Sequence, residues 1–167
     1  MKPLLLLALL SGTAQTARVT VPGTTLSLEV PAGFTLMDAE TVAIKYPRGN
    51  PPLAVYTTPD TQVNIAFTYD QKSPLKAADL NKFGQTTSKL FQQQMPELKY
   101  LKNGPLKRSG RDWYELEFTM QAVDQPIYNH ILFTSDKRHP LIVAVNATTK
   151  QLPKYQKTLD AALSSLK

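Results

Sequence analysis

Apolar residues in this chain recur at every second position, then at about every 3.6, then at every second again, and finally at 3.6 toward the last residues. Such a pattern admits only one element order: strands, a helix, a run of strands and a closing helix. Leu26, Leu28 and Val30 alternate with Ser27 and Glu29 until Pro31-Ala32-Gly33 stops the run. Val42 to Tyr46 reads as a second short strand. Pro47-Arg48-Gly49-Asn50-Pro51-Pro52 lacks the donors a ladder needs and reads as a loop. Leu53 to Thr57 resumes the sheet, Thr58-Pro59-Asp60 turns the chain, and Val63, Ile65, Phe67 and Tyr69 give the clearest alternation of the first half.

The period then lengthens. Leu80, Phe83, Thr87, Leu90 and Phe91 fall on one face of a helix expected from about Pro74 to Met95, with Ser73-Pro74 as N-cap and first-turn proline and Pro96 as the stop. Gly84 weakens such a helix by up to about 1 kcal/mol relative to Ala, and close approach to a sheet would be a reason to keep it. Beyond Pro96 the period of two returns in Leu98 to Ser109, with a bend expected at Asn103-Gly104-Pro105, then in Trp113 to Met120, Ile127 to Thr134 and Leu141 to Asn146. Their connections are short enough for hairpins, so these strands are expected to be antiparallel neighbours. Leu141 to Val145 is apolar on both faces, which predicts helices on both sides of the sheet at its centre. Tyr155, Leu159, Ala162, Leu163 and Leu166 form the stripe of a final amphipathic helix starting near Pro153. The expected class is α+β with a mainly antiparallel sheet.

The first residues carry a separate message. Lys2, the unbroken apolar run Leu4 to Leu10, and small residues at Gly12 and Ala14 form a short secretory leader, residues 1–14, with cleavage after Ala14 and the alternative of residues 1–17. The run is far shorter than the ~20 residues a membrane span needs. Removing Met1 to Ala14 from 167 residues leaves 153, read as one domain over 18–167 that buries roughly 70% of its unfolded surface. Cysteine is absent, so neither a disulfide, an acylated N-terminal cysteine nor a thiolate nucleophile is available. The expected location is secreted or periplasmic.

Several phrases carry a resemblance. Leu28-Glu29-Val30-Pro31-Ala32-Gly33-Phe34, Val63 to Phe67, Leu75 to Leu80, Ser109 to Phe118, and Leu141 to Thr148 followed by a helix closing on Ser164-Ser165-Leu166-Lys167 resemble the PsbP-like group that includes DcrB-like bacterial envelope proteins. The resemblance implies a three-layer α/β/α sandwich, used as an accessory or binding protein, with no shared catalytic motif to carry over. The chain departs from DcrB-like lipoproteins in lacking a cysteine at the leader junction. A cystatin-like α+β roll is the alternative fold, and the late second helix argues against it.

Chemistry is sparse. His130 shares a strand face with Tyr128, Leu132 and Thr134, and reads either as a hydrogen-bonded sheet histidine or as a general base facing Glu115 or Glu117 on the adjacent strand. Those two glutamates, at i and i+2, are either solvated or a carboxylate pair for glycoside hydrolysis. Trp113 on the same face is either a packed strand-end aromatic or the anchor of a binding surface. Lys99, Lys102, Lys107, Arg108 and Arg111, interleaved with Tyr100 and Trp113, read either as edge-protecting cations or as a phosphate-binding stripe. Asp136 and His139 alone do not make a metal site. Asn146-Ala147-Thr148 matches a glycosylation sequon and is read as chance. No nucleotide loop, dinucleotide fingerprint or nucleophile elbow is present.

The expectation that follows is an exported, non-enzymatic binding or accessory protein, without cofactor or metal. It would act through the hairpin spanning 107 to 117, with Lys107, Arg108, Arg111, Trp113, Glu115, Glu117 and His130 as the binding residues. Its partner would be an envelope protein or small ligand, not a specific nucleic acid, with some attraction to anionic surfaces. Two alternatives stay open: a hydrolase of envelope polymers using Glu115, Glu117 and His130, and a structural subunit presenting a sheet edge.

Overall fold

A computed structural model describes residues 16–47, 50–95, 97–122 and 125–167. The leader expected over 1–14 lies outside the described residues. Nine strands are described: β1 Ala17–Thr20, β2 Ser27–Val30, β3 Thr35–Leu36, β4 Ala54–Thr57, β5 Val63–Tyr69, β6 Lys99–Arg108, β7 Arg111–Gln121, β8 Pro126–Asp136 and β9 His139–Thr148. Three α-helices accompany them, α1 Ala39–Lys45, α2 Leu80–Gln94 and α3 Leu152–Ser164, with a single 3₁₀ turn Ala77–Asp79 leading into α2. Strands β3 to β9 form one antiparallel sheet in the order β3-β4-β5-β9-β8-β7-β6, while β1 and β2 pair as a separate hairpin.

The doubly apolar β9 lies fourth of the seven strands, where both of its faces are covered. Leu141, Val143, Val145 and Ala147 join Val63, Ile65, Phe67 and Leu132 under α3 and the β1–β2 hairpin, with Leu159, Ala162, Leu163 and Leu166 closing the core from above. On the opposite face α2 covers Tyr114, Leu116, Phe118 and Phe133, while α1 covers Val55 and Ala66. The sheet is thus the middle of three layers, as the doubly apolar Leu141 to Val145 predicts, and the roll is ruled out by α3 lying on the face opposite α2. Among the described residues no helix is long and apolar enough to cross a membrane.

Four expectations are corrected. Val42 to Tyr46 is not a strand: it belongs to α1, whose first turn is fixed by Asp38 accepting the Thr41 amide at 2.8 Å. Leu90 is 47% exposed, and Ser88 takes its place on the buried stripe of α2. Ser73-Pro74 does not cap α2; the Leu75 amide donates to Arg138 O at 2.7 Å and Ser135 Oγ donates to Leu75 O at 2.6 Å, so this segment is spent on the β8–β9 turn before the helix begins. Asn103-Gly104-Pro105 does not bend the chain away; β6 runs through it as an edge strand, which tolerates proline, and its irregularity is a bulge at Tyr100/Lys102.

Gly84 fulfils its expected role. A Cβ there would lie 2.1 Å from Cγ of Tyr114, so the helix meets the sheet with no room for one methyl group.

Candidate functional site

Antiparallel register brings Glu115, Glu117 and His130 together on the α3 face. Glu117 stands opposite His130 across β7–β8, Lys102 stands opposite Glu117 across β6–β7, and Gly104 faces Glu115 without a side chain to crowd it. His130 reaches diagonally to Glu115, Nε2 to Oε1, at 2.7 Å, while Tyr128 donates its hydroxyl to Glu117 Oε1 at 2.9 Å. The Lys102 ammonium lies 2.7 Å from Glu117 Oε2 and 3.6 Å from Glu115 Oε1. His130 is buried and both glutamate side chains are 13% exposed, so the carboxylates are not solvated.

The electrostatics follow from this geometry. The hydrogen bond with His130 holds the Glu115 carboxyl below its usual range, against the opposing effect of burial. Its bond to Glu117 raises the Lys102 ammonium, and burial pushes the Tyr128 phenol well up. Glu115, Glu117 and His130 offer ligand atoms within 4.8 Å of one another, but Lys102 already places a cation on both carboxylates.

The remaining expected residues are dispersed. Trp113 is 1% exposed and packs in the α3 core, its indole N–H directed to Arg108 O at 3.4 Å, so it offers no surface to a partner. Arg111 is spent internally: Nη1 bonds Asp136 Oδ1 at 3.0 Å and Nη2 bonds Thr25 Oγ1 at 2.7 Å. Arg108 is half-buried. Tyr100 stacks edge-on against Phe118 and donates to Ser88 O at 2.8 Å, which removes it as a base-stacking platform. Lys107 alone of the hairpin cations stands well into solvent, paired with Asp112 at 3.0 Å.

A second polar group, which the sequence does not announce as a group, occupies the opposite face. Asn64 on β5, Asn146 on β9 and Asn129 on β8 stand in one cross-strand row, beside a cleft of about 410 Å³ that Lys45 and Tyr46 of the α1 end also line. No local motif marks the row, because its members are 17 or more positions apart and meet only through register.

The family model described as DcrB matches residues 26–165. Comparison with curated protein sequences gives no match. Among solved structures, the chain is similar to cyanobacterial PsbP (CyanoP) from Synechocystis sp. PCC 6803, with a TM-score of 0.60 and 13% identity over 94% of each chain. It is also similar to LpqN, described as involved in cell envelope biogenesis of Mycobacterium tuberculosis, with a TM-score of 0.61 and 10% identity over 91% of this chain and 89% of that one. A protein of unknown function, PA94 from Pseudomonas aeruginosa, aligns with a TM-score of 0.51 and 15% identity over 90% and 94% of the two chains. At such identities the likeness is one of fold, the PsbP-like arrangement of an open antiparallel sheet between helical layers.

Proposed function

Since the chain belongs to the DcrB family, we propose that it is an exported, non-enzymatic binding or accessory protein of the bacterial cell envelope. Export rests on the leader in residues 1–14. The observation that carries the rest is the internal use of the reactive groups: Arg111 with Asp136, Glu115 with His130, and Glu117 with Tyr128 and Lys102. Groups matched to one another in this way stabilise a fold, whereas acid–base work needs a site where a substrate can take the place of one partner. The hairpin from 107 to 117 contributes through Lys107 and the basic β6 edge, which draw the protein toward anionic surfaces.

The test is capture from the organism's own envelope fraction by the mature chain, residues 15–167, at low and at high salt. A discrete partner retained at high salt, and a weaker capture by Lys107→Glu at low salt only, are expected. If nothing is retained at either salt, the binding reading is wrong.

A second reading has one observation in its favour, the 2.7 Å contact of His130 with Glu115 inside a desolvated carboxylate pair. It makes the chain a hydrolase of envelope polymers, with Glu115 and Glu117 as the carboxylates. Release of soluble fragments from purified envelope polymer, abolished by Glu115→Gln, would establish it in place of the first; no release from any polymer disposes of it.

A further inference from the structure

Two hairpin turns of the same kind lie at one end of the sheet, and the chain fills them differently. Ser109 and Gly110 join β6 to β7 with φ of 51° and 73°, while Lys137 and Arg138 join β8 to β9 with φ of 48° and 66°. A two-residue turn with both backbones in the left-handed region favours Asn-Gly, because an L side chain is strained there. Gly110 relieves half of that strain in the first turn. The second bears it at both positions and carries two long cationic side chains instead. Strain of this sort persists where the surroundings enforce it, and it marks side chains retained for something other than stability. Here the surroundings do enforce it: the Tyr69 hydroxyl donates to Asp136 O at 3.2 Å, the Leu75 amide to Arg138 O at 2.7 Å and the Lys137 ammonium to Gly23 O at 2.9 Å.

The same contacts gather further cations at this end. Lys137 and Arg138 are exposed, and so are Lys72 and Lys76 in the segment that runs past them. That segment is pinned by the Leu75 amide on Arg138 O, by Ser135 Oγ on Leu75 O at 2.6 Å and by His139 Nδ1 on Ser73 O at 3.0 Å. Two carboxylates lie close by and both are engaged: Asp136 holds Arg111 at 3.0 Å, and Asp70 accepts the amides of Lys72 and Ser73 at 2.9 and 3.3 Å. Arg111 also reaches Thr25, which makes this end continuous with the hairpin from 107 to 117. We propose that the end of the sheet carrying Arg138, with Lys137, Lys72 and Lys76 around it, docks onto the phosphates of an anionic lipid bilayer. Guanidinium and ammonium groups pair with phosphate, the guanidinium in a two-pronged fashion. These cations come from separate segments and present a spread of charge, which suits a surface bearing many phosphates better than one small anion. The β6 edge is less suited to the task, since Lys102 sits on two carboxylates and Lys107 on Asp112. This inference rests on the chain being an exported binding protein, and it locates the part that meets the membrane.

The test is sedimentation of the mature chain, residues 15–167, with vesicles of phosphatidylglycerol and phosphatidylcholine at low salt, together with urea unfolding of the same proteins. Arg138→Gly is expected to weaken vesicle binding about fivefold, the share of one cation at an anionic bilayer, while raising the unfolding midpoint because the strain at that position is relieved. Lys76→Gln should weaken binding by a similar factor with the midpoint unchanged. Lys150→Gln removes the same charge from an exposed site beyond the other end of β9, roughly 30 Å away along the strand, and should change binding less than twofold. Equal weakening by Lys150→Gln would mean that net charge alone acts, and would overturn the proposal. So would undiminished binding in Arg138→Gly, a fall in its midpoint, or equal sedimentation with phosphatidylcholine alone. Glycerol phosphate at millimolar concentration should not release the protein; release would replace the bilayer by a site for a single phosphate. Partner capture from the envelope fraction at high salt is read separately, so a discrete partner retained there by a chain that ignores vesicles leaves the binding reading intact and removes only the lipid.

Discussion

At position 84 a methyl group decides between two opposite effects. In an open helix Gly→Ala is worth about 1 kcal/mol of stabilisation. Here the new Cβ would sit 2.1 to 2.5 Å from Tyr114 ring atoms, and that ring is buried with its hydroxyl donating to Asn103 Oδ1 at 2.7 Å, so it has nowhere to swing. Overpacking therefore wins, and Gly84→Ala is expected to lose about 1–3 kcal/mol in urea unfolding; a gain would mean that α2 does not rest on Tyr114. Asp136 poses a similar contest in charge. Burial pushes its carboxyl up, but hydrogen bonds from Thr25 at 2.6 Å and from Arg111 at 3.0 Å outweigh burial and leave it below the usual value. A folded-state pKa below the unfolded one means stability that is fully present above the unfolded value and lost as pH falls through the folded one. Thermal unfolding should thus be flat from neutral to about pH 4 and decline below it. Asp136→Asn should be less stable at neutral pH by about 2 kcal/mol, less than for a fully buried pair because Arg111 keeps some exposure. The difference from the native chain should narrow below pH 4, and a constant difference across the range would assign the effect to packing instead. Glu115, lowered by His130, declines in the same direction and remains in the variant.

Among the elements, α1 shows where periodicity fails. Val42 and Ile44 favour a strand on propensity, yet seven residues are helical because Asp38 accepts both the amide and the hydroxyl of Thr41, each at 2.8 Å, and because Val42 and Tyr46 rest on Val55 and Ala66. Asp38→Ala is expected to speed amide hydrogen exchange at Val42 to Lys45 several-fold while the global unfolding midpoint stays put; equal protection in both proteins would show that packing alone holds the helix. Longer elements were legible for plain reasons. β5 and β9 carry enough alternating or continuous apolar residues that no local signal competes, and α3 keeps its stripe from Tyr155 to Leu166. Two-residue β3 has no period to detect. The candidate cluster was half legible. Glu115, Glu117 and His130 lie on consecutive strands of a meander, so their meeting follows from parity and hairpin order. Arg111 with Asp136 and Thr25 joins three distant segments, and the asparagine row joins two hairpins through the β5–β9 pairing, which no local spacing encodes. Trp113 was open to two readings because parity places it on the face of the glutamates without saying that α3 covers one end of that face and leaves the other polar.

For the molecule as a whole, charge and edges set how it meets its surroundings. The full chain carries 19 basic residues against 13 acidic ones, a net charge of +6, and removal of the proposed leader with Lys2 would bring it to +5. Part of this lies along β6, the long edge of the sheet, which is defended against strand addition by Lys99, Lys102, the Tyr100/Lys102 bulge, and Pro105, which cannot donate to an incoming strand. The same lysines that repel another sheet edge attract an anionic surface. Their pull is blunted, because Lys102 sits on two carboxylates and Lys107 on Asp112. Attraction that is dispersed and partly neutralised has a recognisable signature: each lysine contributes at most about 1 kcal/mol near an anionic bilayer, so no single one dominates. The mature protein is therefore expected to sediment weakly with vesicles rich in anionic lipid, not with neutral ones, and to be released at about 0.5 M salt, where screening acts within a few ångströms. Lys99→Gln or Lys107→Gln should each weaken the association by no more than about fivefold, the equivalent of that 1 kcal/mol. Association that survived high salt, or that vanished with one of these lysines, would point to a shaped lipid site and would mean that β6 is a recognition element rather than a guarded edge with a diffuse field.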